Sequence, residues 1–151
     1  MATTTKTKKA PAKKAKAKVF SDAEMEAMQD AKKERKSGGK SDGLADLRAA
    51  LAKLDKADKA MGEKLHDIVM ANAPSLEPKT WYGMPAWAGA DGKAVVFFTP
   101  ASKFKERYAT LGFNQGAKLD DGSFWPTSWA LLKLGPAEEK QIAALIKKAA
   151  G

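Results

Sequence analysis

Thr80-Trp81-Tyr82-Gly83-Met84-Pro85-Ala86-Trp87, then Gly89-Ala90-Asp91-Gly92, then Lys93-Ala94-Val95-Val96-Phe97-Phe98-Thr99 is the stretch that decides the fold. The first segment is aromatic and β-prone, the second has turn composition, and the third is an unbroken run of β-branched and aromatic residues. This pattern predicts a hairpin whose second arm is a buried strand. Downstream, Phe104 to Phe113 contains another strand and Asp120-Asp121-Gly122 forms a turn. Phe124 to Leu134 is a further strand, entered through Pro126, which suits a sheet edge better than its middle because proline has no N–H to give.

Around this β region the period changes to helical. Leu44, Leu47, Leu51 and Leu54 follow one helix face, and Met61, Leu65, Ile68, Val69 and Asn72 follow a second. Asp55, with Asp58 three residues on, starts the second helix, and Pro74 ends it. At the other end, Gly135-Pro136-Ala137-Glu138 opens a helix with proline at its first position and a carboxylate at its positive pole. Its stripe of Ile142, Leu145, Ile146 and Ala149 predicts docking on the sheet. Helix, helix, strands, helix describes an α+β domain over residues 41–151, with a small antiparallel sheet packed against helices.

Residues 20–40 read as a capped helix and a glycine-rich linker. Ser21 can cap the Glu24 amide, Glu24 can reach back to Ser21, and Phe20 can pack on Met25. The helix ends at Ser37-Gly38-Gly39. Its apolar content is thin, essentially Met25 and Met28 with alanines, which argues against firm docking. Asp22, Glu26, Asp30 and Glu34 recur every four residues as an acidic stripe. The stripe reads as a solvated face balanced by Lys32, Lys33 and Lys36, as a loose hard-cation site, or as a counter-surface for the lysines before it.

The 151 residues suit one domain, and 44% apolar with 30% charged residues supplies a core. There is no cysteine, which excludes disulfides, thiol nucleophiles and cysteine-ligated metal centres. His66 is the single histidine and falls on the flank of its helix stripe, where it reads as a hydrogen-bonded rim residue. No apolar run reaches the ~20 residues of a membrane span. A cytoplasmic protein with no membrane role is the expectation. The net charge of +9 is uneven: residues 1–40 carry twelve Lys and Arg against five Asp and Glu, whereas residues 41–151 carry fifteen against thirteen. Within residues 1–19, Lys6, Lys8, Lys9, Lys13, Lys14, Lys16 and Lys18 stand among Ala, Thr and Pro11 without an acid. That tail is expected to be disordered and to bind polyanions without reading sequence. Seven phosphate contacts would give a log K against log salt slope of about −6.

The blocks Lys79-Thr80-Trp81-Tyr82-Gly83-Met84-Pro85-Ala86, Phe97-Phe98, Arg107-Tyr108-Ala109-Thr110-Leu111-Gly112-Phe113, Leu119-Asp120-Asp121-Gly122 and Trp125-Pro126 resemble the YdhG-like family of domains of unknown function. The likeness spans roughly residues 41–150 and leaves the lysine tail outside. It implies a compact α+β fold with a small antiparallel sheet and, for a few members, a frataxin-like iron-chaperone role. The domain itself shows no dense acidic ridge, and Asp120 and Asp121 read as turn formers. The acidic stripe before the domain keeps iron binding open.

No constellation for catalysis is visible. Ser102, Ser123 and Ser128 lack a nucleophile-elbow context, His66 has no evident partner, and neither phosphate-binding glycine motif occurs. No cofactor is implied. Aromatic residues concentrate between Trp81 and Trp129, with Arg107 beside Tyr108. Such a set fills a core or lines a pocket for a planar or anionic ligand. Trp81, Tyr82, Met84, Trp87, Arg107, Tyr108 and Trp125 are the candidate ligand-binding residues. The expected function is a non-catalytic module that binds a small ligand or a protein partner. The alternatives are nucleic-acid association through the tail lysines and an iron-chaperone-like role.

Overall fold

A computed structural model of the protein describes residues 19–37 and 42–151. The lysines of the predicted disordered tail, at 1–18, and the linker at 38–41 lie outside the described residues. The fold is α+β. Helices α1 (Asp22–Ser37), α2 (Gly43–Ala52) and α3 (Lys56–Asn72) are followed by strands β1 (Glu77–Trp81), β2 (Met84–Ala88), β3 (Ala94–Thr99), β4 (Ala109–Phe113) and β5 (Ser128–Leu131), and helix α4 (Pro136–Ala150) closes the chain. The helix starts follow the cap residues. Ser21 Oγ accepts from the Glu24 amide, Asp42 from Leu44 and Ala45, and Asp55 from Asp58, each satisfying amides that the first helical turn leaves over. At α4 the Glu138 carboxylate reaches back to the Gly135 amide.

The strands form a meander in the order β1-β2-β3-β4-β5, every pair antiparallel, with β5 at an edge as Pro126 predicts. Directly paired residues share a face, so the register sorts the two sides of the sheet. Trp87, Val96 and Phe113 form one row, and Phe98, Leu111 and Trp129 another. Both face the helices and join Leu47 and Leu51 of α2, Leu65, Ile68 and Val69 of α3, and Ile142 and Ile146 of α4 in one core. The opposite row runs Lys79, Ala86, Phe97, Gly112, Ser128. There the Phe97 ring lies across the strand onto Gly112, where a Cβ would overlap the end of the ring.

Two expectations are corrected. The stretch Thr80 to Trp87 is not one arm of a hairpin but a hairpin of its own, β1 turning into β2 at Tyr82-Gly83. Both turn residues have positive φ, 53° and 74°, the signature of the tight turn whose twist matches antiparallel strands. Pro85 survives inside the sheet because the Trp81–Met84 pair closes the turn and alternation leaves Thr80–Pro85 unbonded, while the β2–β3 register begins only at Ala86–Phe97. Helix α4 packs along α3, its Ile142, Ile146 and Ala149 joining the core shared with the sheet, and is fastened at its start by Lys64 to Glu139 and to the Leu134 carbonyl. Finally, α1 does dock. Met25 and Met28 point to solvent, and the contact is made by buried Ala27 and Ala31 and by a carboxylate described below.

His66 is the rim histidine expected from its position. Its Nδ1 accepts the indole N–H of Trp87 at 3.1 Å, with the rings stacked at 21°. An accepting Nδ1 carries no proton. Burial lowers the imidazole pKa from its ordinary 6.5, Asp67 opposing and Arg48 assisting. The unfolded chain therefore takes up this proton at higher pH than the folded one. The stability contributed by the neutral ring is complete above the unfolded value and is lost as pH falls toward the folded one. The thermal midpoint is expected to drop as pH falls below the ordinary imidazole value of 6.5, with a shallower drop in His66→Gln, whose amide oxygen can still accept from Trp87. Identical slopes in the two proteins would remove His66 from this role.

Candidate functional site

A cleft of about 680 Å³ lies between α1 and the sheet face that bears Lys79 and Trp81. Its walls come from three places. Helix α1 contributes Ala31, Glu34 and Arg35. The first hairpin contributes Lys79, Trp81 and Tyr82. The β2–β3 turn and the segment after β4 contribute Gly92, Lys93, Asn114, Gln115 and Gly116.

Period-two alternation along β1 puts Lys79 and Trp81 on the same side. Lys79 Nζ donates to the Gly92 carbonyl at 3.2 Å, which ties β1 to the neighbouring turn and leaves two ammonium hydrogens for other acceptors. The Lys93 backbone is fixed where its amide donates to Asp91 Oδ1. The Trp81 ring is braced by Tyr82, edge-on at 4.9 Å, and by Phe97 at 5.0 Å. Tyr82 is in turn held through its backbone. Glu34 Oε2 accepts from the Tyr82 amide at 3.0 Å and Oε1 from the Gly83 amide at 3.1 Å. This two-point capture anchors α1 on the turn and offsets the cost of holding a tyrosine at positive φ. Gly83 suits its φ of 74°, and a Cβ there would displace the Asp30 carboxylate.

Two of the seven candidate ligand residues, Trp81 and Tyr82, line this cleft. Met84 is buried nearby, its sulfur accepting from Thr99 Oγ1 at 3.2 Å. Trp87 is fully buried against His66 and is a core residue, because β2 alternation turns it to the helices. Arg107 and Tyr108 are exposed on the segment before β4, the guanidinium over the phenol ring at 5.2 Å. Trp125 is half-buried in a smaller cleft of about 320 Å³ that shares Asn114 and Gln115 with the larger one. The aromatic set therefore does not form one site. Lys6, Lys8, Lys9, Lys13, Lys14, Lys16 and Lys18 lie outside the described residues.

Arg35, Lys79 and Lys93 were not among the residues the sequence singled out. Lys79 becomes readable once the Tyr82-Gly83 turn is known, since alternation then aligns it with Trp81. Arg35 gives no such signal, because its place depends on the long-range hold of Glu34. The acidic stripe does not converge either: Glu34 engages the turn and Asp30 faces Gly83, and among the described residues no group of three or more His, Asp or Glu side chains could hold a metal ion. Among those residues no helix is long and apolar enough to cross a membrane. In comparison with known proteins, no family model matches the chain, and neither a curated protein nor a solved structure shows significant similarity to it.

Proposed function

We propose that the chain, which resembles the YdhG-like family, is a non-catalytic binding module and that it takes a small anion in the cleft between α1 and the sheet. The supporting observation is the convergence of Arg35, Lys79 and Lys93, from three separate elements, on one concave surface. A concave surface lined by basic residues concentrates anions by field focusing. The Glu34 carboxylate, which accepts from both turn amides, keeps its charge and offsets one of the three, leaving an excess of cations in the lining.

Calorimetric titration of the full chain with pyrophosphate at fixed ionic strength tests the reading. Replacing Lys79 or Lys93 by Gln should weaken binding about tenfold, the scale of one charge-assisted hydrogen bond. Affinity that ignores both substitutions and disappears when the seven tail lysines become Gln would place binding on the tail instead. That outcome favours the second reading, non-specific nucleic-acid association, which the density of lysines in residues 1–18 supports. An iron-chaperone role draws support only from the spacing of the acidic stripe.

A further inference from the structure

We infer that the anion taken by this cleft is a nucleoside phosphate, its phosphate on Arg35, Lys79 and Lys93 and its base against Trp81 and Tyr82; the inference rests on the anion-site reading above. Size separates this ligand from a simple oxyanion. A cleft of about 680 Å³ is in the range that holds a ligand of many atoms, and a lone phosphate would leave most of it, and both rings, unused.

The rings are prepared for a flat partner. Trp81 is fixed between Tyr82 and Phe97, and Phe97 rests on Gly112, so the indole cannot retreat into the sheet. A ring already held in place loses little freedom when a base stacks on it. Asn114 and Gln115 line the same cleft and bring amide groups to it. Asn114 Nδ2 donates to the Ala94 carbonyl at 3.1 Å, which orients its carboxamide oxygen as a fixed acceptor. Donor and acceptor groups of this kind match the edges of bases. Free nucleotides and the phosphorylated end of a single strand present the same chemistry.

Calorimetry on the full chain with AMP, ribose 5-phosphate and adenosine separates the parts. AMP should bind at least about tenfold tighter than ribose 5-phosphate, the contribution expected of one stacked base, and tighter than adenosine by a similar factor. Trp81→Leu should bring AMP down to the level of ribose 5-phosphate. Should that variant fail to fold, the comparison of the two phosphates on the native chain still decides. Equal affinities for AMP and ribose 5-phosphate would overturn the nucleoside inference while leaving an anion site, and no binding of either would overturn the anion site beneath it. A 5′-phosphorylated oligoadenylate, measured with the tail lysines changed to Gln, distinguishes the sources. Tighter binding than AMP assigns a strand end and equal binding a free nucleotide, both of them upholding the inference.

Discussion

Trp87→Ala is expected to lower the unfolding free energy by about 3–5 kcal/mol, the range for deleting a large aromatic from a close-packed core. The indole is fully buried in the row that holds Val96 and Phe113. Its loss also strips the donor from His66 Nδ1. Against the ~5–15 kcal/mol that holds a domain folded, the variant should melt at least about 10 °C lower. Trp87→Phe reduces the packing loss, since it keeps most of the apolar volume and removes the indole N–H together with the smaller ring. It should cost about 1–2 kcal/mol and flatten the acid limb of the pH profile. Denaturant unfolding measures both, and a loss below about 1 kcal/mol for Trp87→Ala would mean that Trp87 is not the centre of this core.

Gly112→Ala is expected to cost about 1–3 kcal/mol, although alanine is the better strand residue of the two, because the new methyl group enters space that Phe97 occupies. Phe97 is paired directly with Gly112 and also braces Trp81 at 5.0 Å. Displacing it should therefore change Trp81 fluorescence and weaken ligand binding in the cleft as well as stability. Shortening the ring relieves the overlap, so Gly112→Ala combined with Phe97→Leu should cost less than the two substitutions summed. Additive costs would show that the close approach of ring and glycine does not govern this face.

Much of the fold is legible in the sequence because its signals are local. Ser21, Asp55 and Pro136 mark helix starts through hydrogen bonds or ring geometry within one turn, and the run Ala94 to Thr99 is a strand by composition. The first hairpin is hidden because Tyr82 is a poor candidate for the left-handed region. The residue that makes the turn tolerable, Glu34, is 48 positions away. The docking of α1 is hidden for the same reason: an apolar stripe through Met25 and Met28 is absent, and small alanines with one bidentate carboxylate replace it. Aromatic concentration overstated the site. Alternation sends Trp81 to one face of the sheet and Trp87 to the other, so neighbours in sequence serve the cleft and the core separately. The cations of the cleft arrive from α1, β1 and a turn, and no linear motif joins them.

An amide chemical-shift map of the full chain titrated with pyrophosphate tests the anion site most directly. The largest shifts are expected at Gly92, Lys93, Asn114, Gln115 and Gly116 and at the Trp81 indole N–H, with residues 41–73 nearly still. Shifts confined to residues 1–18, with those six signals unmoved, would contradict the account.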